Sequence, residues 1–540
     1  MREPASPHRH LRRFAVLLLA AAAVAAATAA VAAATTTHDA LLVRRGVTHA
    51  LKQHWVKAPD AGRYRADVAA AVREVASLPK LRARVIAAQL AQLAAVSGSY
   101  TSPRALALFT QLEQNLAYFE THPIPPQRVD VADQDGVVYR WFPNQGLEFH
   151  PLAAFGALNA VAAAQNADGA RTLADALVAR GVPRGGRLIW EYSFPFGFGR
   201  PPWASGMAQA VAAQALARAA VLLQDEDLVG AAARAYASVS PLVFGLPSGP
   251  WIRLYSFDSE VVLNAQLQTI VSLLDYAKTS GDAAAAALAQ RLSATAQALL
   301  PRFDTGDWSR YELGGGYATK EYELYVTKLL AKLASMTHDP VWTDASQRFH
   351  AYYYDPPQVT QVAPPAPIYP QPLDGYLDTA SIQLTLSQRA SVTLAVGGQV
   401  TSFRLGRGAH TITWKPPVGL AAGTYPVQVS AKNYAGRRST VKLAPVVVNW
   451  DTAPPPLTAA QLQGTTLTWQ ANDPGTPWLA LKVALVDPAG VNPPQTLDVG
   501  RQPTAGSAPV AVPPGTWEAT LQATNSAGLT TSFPLGTVTA

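Results

Sequence analysis

Two hydrophobic periodicities divide the chain. From Tyr64 to about Tyr354, apolar residues recur at spacings of three and four in Ala- and Leu-rich segments such as ALALFTQLEQNLAYF and MAQAVAAQALARAAVLL. This spacing predicts amphipathic helices. Beyond residue 375, segments such as SVTLAVGG, HTITWKPP and TYPVQVSAKN alternate apolar and polar positions, which predicts strands. The sequence therefore predicts a helical part followed by an all-β part.

Long aromatic connections separate the predicted helices, notably EYSFPFGFGRPPWASG and GLPSGPWIRLYSFD. Serial helix pairs with such loops predict an α/α toroid, or helical barrel, whose loops gather at one end as a cleft. We expect this domain over residues 140–355. An N-terminal helical segment, which ends in the short β element GVVYRWFP, is expected over 38–139.

A Pro-rich stretch is expected to form a semi-rigid linker over 356–375. A second cluster, Pro454–Pro456, divides the β part in two, and GTYPVQVSAKNYAG from Gly423 matches GTWEATLQATNSAG from Gly515. This internal repeat predicts two copies of one all-β sandwich module, at 376–450 and 455–540. The first copy resembles the Ig-like modules of bacterial surface and flagellar hook-cap proteins.

The N-terminus has the pattern of an export signal. Arg9, Arg12 and Arg13 precede an uncharged, Ala-rich run over 14–34, which is about as long as the ~20 residues that span a bilayer. A cleaved signal peptide and an uncleaved membrane anchor over residues 1–37 both remain open. In either case the positive flank predicts that the rest of the chain works outside the cytoplasm, on a bacterial cell surface.

Composition narrows the chemistry. The 540 residues include no cysteine, which excludes disulfides, thiolate catalysis and Cys-based zinc sites. The net charge of +7 is spread thinly, and beyond the first residues Lys and Arg occur at most in pairs, so nucleic acid is not expected as a partner. Mild positive charge suits an acidic polysaccharide. We expect no metal and no cofactor, because none of the standard motifs for them is present.

The stretch over 190–209, WEYSFPFGFGRPPWASGMAQ, has the composition of a sugar-binding loop, since pyranose faces stack on aromatic rings. For Trp203, sugar stacking and core packing both remain open. Phe194, Phe196 and Phe198 are expected to pack in the core. Glu191 is a candidate substrate-binding residue, with a local cap or ion pair as the alternative.

Four fragments in order resemble the C-terminal catalytic domain of D-glucuronyl C5-epimerases. They are SGMAQ, VLN with LLDYAKTSGD, LLPRFDTG with the aromatic-rich segment after it, and the YxxY helix within KEYELYVTKLLAKLA. The resemblance covers about residues 140–355. It implies conversion of glucuronate to iduronate within a heparan-type polymer. A base would remove the C5 proton, and a second group would reprotonate the opposite face.

Carried over residue by residue, the resemblance implies that Tyr255, Tyr311 and Tyr322 are catalytic. A tyrosine acting as base needs nearby positive charge, because its unperturbed pKa is ~10. Arg253 or Arg310 is the expected cation for the uronate carboxylate, with solvated surface charges as the alternative for both.

Two positions depart from the animal enzymes. Arg253-Leu254 stands where they have a Glu pair, and Glu323 stands where they have His. Asn264 and Gln268 are expected to hydrogen-bond within the helix pair, and Asp304 to form an Asx turn.

Three functions remain open from the sequence. The first is an extracytoplasmic uronate C5-epimerase, and the second is an α/α-toroid polysaccharide lyase, which would release an unsaturated product. The third is a non-catalytic cell-surface glycan-binding protein. The polymer, its sulfation and whether the chain forms a homodimer are left open.

Overall fold

The computed structural model describes residues 35–126 and 128–540. The chain divides into two compact units, of which the first ends at Phe349 and the second begins at His350. The first unit is mainly helical, and the second is built almost entirely of strands. The division into a helical part and an all-β part is therefore confirmed. The predicted signal or anchor run at 14–34 lies outside the described residues.

Helices form most of the first unit. They are α1 (35–52), α2 (Ala58–Ser77), α3 (Lys80–Ala95), α4 (Ser102–Thr121), α5 (Pro151–Ala163), α6 (Ala167–Ala179), α7 (Gly206–Leu223), α8 (Glu226–Ala237), α9 (Leu263–Ser280), α10 (Ala283–Phe303), α11 (Lys320–Thr337) and α12 (Pro340–Tyr354). Between α4 and α5, an antiparallel sheet consists of β1 (Asp130–Ala132), β2 (Val138–Phe142) and β3 (Gly146–Phe149). Two hairpins complete the unit, β4 (Val182–Arg184) with β5 (Arg187–Ile189) and β6 (Val243–Leu246) with β7 (Gly249–Ile252).

The helices from α5 to α12 are joined in pairs by one kind of turn. In each pair the turn has a residue with positive φ followed by Asp or Asn, namely Gln165-Asn166, Gln224-Asp225, Gly281-Asp282 and His338-Asp339. At the second turn, for example, the Asp225 carboxylate accepts the backbone N–H of Leu228 at 3.0 Å and caps α8. The left-handed residue ends one helix and the cap starts the next, so the chain reverses within a few residues.

These reversals place α5, α7, α9 and α11 side by side in a parallel inner row. α7 is the most deeply buried of them, because small Ala side chains let its neighbours approach on both sides. Among the described residues it is also the helix long and apolar enough to cross a membrane, but 78% of it is buried within the protein, as in a core helix. The row confirms the predicted serial helix pairs, whereas its closure into a toroid stays a prediction.

The second unit contains two modules of seven strands each. The first has β8 (Val359–Ala363), β9 (Ala380–Leu386), β10 (Ala390–Val396), β11 (Gln399–Leu405), β12 (Gly408–Trp414), β13 (Gly423–Lys432) and β14 (Arg438–Val448). The second has β15 (Leu457–Gln463), β16 (Thr466–Ala471), β17 (Leu479–Val486), β18 (Gln495–Gln502), β19 (Ala505–Pro509), β20 (Thr516–Thr524) and β21 (Thr530–Thr539).

The two modules have the same strand order. In each, the first, second and fifth strands form one sheet and the third, fourth, sixth and seventh form the other. Each module has its own cluster of buried apolar side chains, drawn from both sheets. The shared order supports the predicted repeat, while the likeness to Ig-like modules stays a prediction.

The matching sequence motifs form matching turns between the sixth and seventh strands. The side-chain oxygen of Asn433 accepts the backbone N–H of Arg437 at 2.8 Å, and that of Asn525 accepts the N–H of Leu529 at 2.9 Å. Gly436 and Gly528 adopt positive φ at the same place in each turn. The repeat was visible in the sequence because this turn requires both residue types.

The first module begins earlier than expected. β8 lies within the predicted linker at 356–375 and pairs antiparallel with β9. The proline-rich composition hid this strand because β8 lies at the edge of its sheet, where a short segment between prolines suffices.

Candidate active site

A cavity of about 570 Å³ lies at the end of the inner row where the helices begin. It is lined by side chains from the N-terminal turns of all four inner helices and from the residues just before these helices. They are His150 and Leu152 at α5, Ser205 and Met207 at α7, Asn264 at α9, and Glu321, Tyr322 and Tyr325 at α11. The parallel row gathers these ends, so the cleft forms where the sequence predicted that loops would gather.

The position of the cavity favours a negatively charged ligand. The N-terminal turn of a helix carries partial positive charge and N–H groups without partners inside the helix. Four such turns are directed to the cavity, and two guanidinium groups, of Arg128 and Arg140, also line it. The cavity wall thus combines fixed dipoles and two guanidinium groups with one carboxylate, that of Glu321.

Arg140 is held rigidly at the cavity wall. It lies on β2, and its Nε and Nη2 donate to the two carboxylate oxygens of Asp130 at 2.6 and 2.7 Å. Its Nη1 lies 3.3 Å from Nε2 of His150. The two hydrogen bonds to Asp130 fix the plane of the guanidinium, so that Nη1 is directed towards His150.

His150 serves the start of α5. Its Nδ1 accepts the backbone N–H of Ala153 at 3.1 Å and so caps the helix. Burial, together with the positive charge of Arg140, lowers the pKa of His150 to about 3. The imidazole is therefore neutral at physiological pH.

Three tyrosines carried over from the resemblance meet in this cavity. Tyr255, Tyr311 and Tyr322 all line it, and the ring centroids of Tyr311 and Tyr322 are 4.8 Å apart. Tyr311 also interacts electrostatically with both of the others. The three phenols therefore form one cluster.

Burial raises the pKa of Tyr255 and of Tyr311 above the ordinary value of a phenol, and the neighbouring tyrosines raise that of Tyr311 further. Both are therefore protonated at neutral pH. Tyr322 lies close to positive charge, because the Arg128 guanidinium carbon is 5.9 Å from its ring centroid and Arg140 interacts with it electrostatically.

The loop before α11 fixes Tyr311. The Tyr311 N–H donates to the carbonyl of Gly316 at 3.1 Å, and the Tyr311 carbonyl accepts from Leu263 at the start of α9. Glu323, one of the two departures from the animal pattern, is buried and accepts the N–H of Ser309 at 2.9 Å as well as the Ser309 hydroxyl. At this position the side chain anchors the loop and does not line the cavity.

The three charged residues expected to bind substrate lie elsewhere. Arg253 Nη1 donates to the Asp258 carbonyl and to the Ser259 hydroxyl, both at 2.6 Å, whereas the neighbouring Leu254 lines the cavity. Arg310 Nη1 donates to the Gly315 carbonyl at 2.6 Å. Both arginines therefore tie loops together, and Arg140 and Arg128 take the position at the cavity that was expected of them.

Glu191 is also committed to a structural contact. Its two oxygens accept from Nε and Nη2 of Arg104 at 2.8 and 3.0 Å, and Arg184 pairs with it from the other side. The carboxylate is buried and does not line the cavity. The local ion pair, named as the alternative from the sequence, is what the structure contains.

The aromatic side chains of the loop before α7 differ in how deeply they are buried. Trp203 stacks on Tyr192 at a centroid distance of 4.1 Å and donates its indole N–H to the Phe194 carbonyl, yet it also lines the cavity. Its packing role is thus established, and sugar stacking stays a prediction. Phe194 is buried as expected, whereas Phe198 is 73% exposed and does not pack in the core.

The sequence reasoning missed Arg128, Arg140, His150 and Tyr325. The first three precede α5 and lie on or next to a sheet that the sequence marked only as a short β element. The sequence signal that could have identified Arg140 is its position, since it is a charged residue within the apolar run VVYRWF. Asp304 forms the expected Asx turn, because its carboxylate accepts the N–H of Gly306 at 2.8 Å.

Three solved structures are similar to parts of the chain. An endoglucanase from Komagataeibacter sucrofermentans is 14% identical at a TM-score of 0.27, over 35% of this chain and 68% of that one. The endo-beta-1,4-glucanase CMCax from Acetobacter xylinum is 14% identical at 0.28, over 43% and 77%. A GH76 alpha-mannanase from Bacteroides thetaiotaomicron is 12% identical at 0.29, over 38% and 59%. These TM-scores lie below 0.5, and nothing about this chain follows from them.

Comparison with protein families gives a direct match. Residues 185–351 match the family described as D-glucuronyl C5-epimerase C-terminus. The matched segment contains Tyr255, Tyr311 and Tyr322 and the starts of α7, α9 and α11, whereas Arg128, Arg140 and His150 precede it. The segment that builds most of the cavity is therefore the part of this chain that matches the D-glucuronyl C5-epimerase C-terminus family.

Proposed function

We propose that the chain is a uronate C5-epimerase that acts on a glucuronate-containing polysaccharide. The observation that carries this proposal is the meeting of Tyr255, Tyr311 and Tyr322 with Arg140 in one cavity, most of which is built by the segment that matches the epimerase family. Phenols can exchange a carbon-bound proton, and a guanidinium can bind the carboxylate that makes this proton acidic.

The carboxylate would bind at the positively charged wall. Arg140 is oriented by Asp130, and its Nη1 is the donor that we assign to the uronate. As the C5 proton leaves, negative charge builds on the carboxylate oxygens of the resulting enediolate. A fixed cation and four helix N-termini stabilise this charge without having to reorient.

We assign the roles of base and acid from charge and burial. Tyr322 is the proposed base, because the positive charges of Arg128 and Arg140 lie beside it. It takes the C5 proton, and the electron pair moves into the carboxylate. Tyr311, protonated by virtue of its burial, then gives its proton to the opposite face of C5. Tyr255 lines the cavity beside Tyr311 and completes the acid–base set on that side.

This assignment requires a local movement. The rings of Tyr311 and Tyr322 lie against each other, with centroids 4.8 Å apart, whereas groups acting on opposite faces of one carbon stand roughly 6–7 Å apart, at ~3–3.5 Å from it on each side. A bound uronate therefore separates the two hydroxyls and inserts C5 between them.

The test compares proton exchange from the two epimers. Tyr311→Phe and Tyr322→Phe keep the ring and remove the hydroxyl, and Tyr236→Phe is the matched control, because Tyr236 stacks on Tyr276 outside the cavity. Each variant is incubated in D2O with glucuronate polymer and, separately, with iduronate polymer. Each cavity variant should lose epimerisation by about 10²–10⁴-fold and lose proton abstraction from one epimer in particular.

Exchange that persists undiminished in both cavity variants would refute the assignment. An ultraviolet-absorbing, shortened product would instead identify the lyase, and binding without exchange or cleavage would identify a glycan-binding protein. The Tyr236→Phe control should exchange both epimers at the wild-type rate.

We also propose that the protein works outside the cytoplasm, which rests on the basic flank and apolar run over residues 9–34. Cell fractionation tests this directly. Recovery of the intact chain free in the cytosol would contradict it.

A further inference from the structure

A chain of hydrogen bonds leaves the cavity at Tyr325 and crosses the inner helices. The Tyr325 hydroxyl donates to Oε1 of Gln268 on α9 at 2.6 Å. Gln268 Nε2 lies 2.9 Å from the Ser272 hydroxyl, which in turn lies 3.0 Å from Oε1 of Gln214 on α7. Ser272 and Gln214 are buried, so these groups have no competing water.

An ion pair fixes the far end of this chain. Gln214 Nε2 donates to Oδ2 of Asp275 at 3.0 Å, and the same oxygen accepts Nε of Arg218 at 2.5 Å. A carboxylate paired with a guanidinium only accepts hydrogen bonds. The amino group of Gln214 must therefore face Asp275, which leaves its oxygen to face Ser272.

A second contact requires the same orientation of Gln214. Arg218 Nη1 donates to Oδ1 of Asn159 at 3.2 Å, and a guanidinium only donates. The Asn159 amino group is therefore turned to the other side, where it donates to Oε1 of Gln214 at 3.3 Å. Two independent constraints thus settle an amide orientation that atomic positions alone leave ambiguous.

The orientation propagates back to the cavity. Because Gln214 presents its oxygen to Ser272, the Ser272 hydroxyl donates its proton to Gln214. The same hydroxyl must therefore accept from the amino group of Gln268. The Gln268 oxygen then faces Tyr325, which must donate its proton to it. Burial, and after it the neighbouring Tyr322, raises the pKa of Tyr325 to about 12, so the proton is present at neutral pH.

We infer that Tyr325 binds a sugar hydroxyl as a hydrogen-bond acceptor, because it lines the cavity and its only proton is committed to Gln268, which leaves the phenol oxygen free only to accept. A ring hydroxyl can donate to this oxygen, whereas a carboxylate or ether oxygen cannot. Gln268, Ser272 and Gln214 are positioning residues that maintain this polarity. The identity of the sugar as a uronate rests on the proposed function, but the polarity of Tyr325 does not.

Neutron diffraction from crystals of the full chain tests the polarity without any substrate. We expect the Tyr325 deuteron on the line to Gln268 Oε1 and the Gln214 amino deuterons towards Asp275. A Tyr325 deuteron directed into the cavity, or a reversed Gln268 amide, would overturn the inference.

Calorimetric binding of modified uronide oligosaccharides tests the consequence. A fluorine in place of a hydroxyl is a weak acceptor and cannot donate, and a deoxy analogue can do neither. At either the 2-position or the 3-position, we expect both analogues to bind on the order of tenfold more weakly than the parent, because one hydrogen bond is lost. Tyr325→Phe should abolish this difference.

Wild-type protein that binds the fluoro analogues as tightly as the parent would overturn the inference, as would full discrimination in Tyr325→Phe. Failure of every uronide to bind would count against the proposed function alone, since the neutron map decides the polarity by itself.

Ser272→Ala tests the positioning role, because it breaks the chain at a side chain that does not touch the cavity. Ser280→Ala, on the same helix, is the control, since that hydroxyl donates only to the carbonyl of Tyr276 one turn back. We expect Ser272→Ala to lose most of the discrimination against the fluoro analogue and Ser280→Ala to retain it. Equal discrimination in both variants would contradict the role of the chain.

Discussion

At the scale of single residues, the partners of each arginine decide which of them is available at the cavity. Arg140 forms a paired contact with Asp130 that leaves Nη1 towards His150 at the cavity, whereas Arg253 Nη1 is occupied by a carbonyl and a hydroxyl of its own loop. Sequence position alone favoured Arg253 because it lies two residues from Tyr255. The loop around Arg253 uses this guanidinium as a hydrogen-bond donor for its own carbonyl and hydroxyl groups. No spacing in the sequence reveals such a requirement.

This difference predicts the effect of removing each charge. Arg140→Gln should lower kcat/KM for C5 exchange by on the order of 10²–10³-fold, because a fixed cation is lost where negative charge develops. Arg253→Gln should reduce it only a few-fold, through a looser loop. Deuterium incorporation from D2O measures both, and a larger loss in Arg253→Gln than in Arg140→Gln would contradict the assignment.

A buried carboxylate behind the cavity gives the protein a pH-dependent stability. Glu148 on β3 is fully buried, and its oxygens accept only amides, from Gln89, Gln92 and Gln111 at 2.8, 2.7 and 2.8 Å. Burial raises the pKa of Glu148 to about 7, and the three amides oppose this only in part. The folded state therefore binds a proton that the unfolded state releases near pH 4.5.

Because its folded pKa is the higher one, Glu148 stabilises the fold below about pH 4.5, and this contribution is lost as pH rises to about 7. The loss amounts to about 3 kcal/mol at most. Urea unfolding of wild type and Glu148→Gln at pH 5 and pH 8 measures it, since other titrating groups cancel in the difference. Wild type should lose stability relative to the variant at pH 8, and a pH-independent difference would refute the prediction.

At the scale of elements, the reversals between paired helices explain why the helical part was readable from sequence. Apolar spacing marked the helices, and the Gly281-Asp282 pair has the residue types that end one helix and begin the next. At the equivalent turns, Gln165, Gln224 and His338 adopt positive φ without being glycine, so these turns are harder to recognise from the sequence. The starts of the inner helices, which form the cavity, could be located, but which side chains turn into it depends on packing.

These turns predict opposite effects of glycine and alanine. Gln224→Gly should raise the free energy of unfolding by up to about 1 kcal/mol, because the left-handed conformation strains a residue with Cβ. Gly281→Ala should lower it by about 1 kcal/mol through backbone strain alone, since no atom lies within 4 Å of the added Cβ. Chemical denaturation checks both, and the same sign for the two changes would contradict this account.

At the scale of the whole molecule, the cavity and the strand modules belong to separate units. Every residue that lines the cavity lies between Arg128 and Tyr325, within the first unit. Each seven-strand module of the second unit has its own apolar core. The change of periodicity revealed this division, whereas the start of the first module at β8 was hidden by proline-rich composition.

This separation predicts that the strand modules are dispensable for the chemistry. A chain of residues 35–355 should keep C5 exchange on short uronide oligosaccharides within a few-fold of the full chain. Exchange is measured beside the helical circular dichroism signal. Loss of exchange in a truncated chain that keeps its helical signal and cooperative unfolding would show that the second unit takes part in the site.

The central claim is that the cavity moves the C5 proton of a uronate, and nuclear magnetic resonance of the polymer in D2O tests it most directly. Incubation of the full chain with a glucuronate polymer should place deuterium at C5 and generate iduronate signals while the chain length stays constant. Polymer that binds to the protein but acquires no deuterium at C5, under conditions where the fold is intact, would contradict the claim.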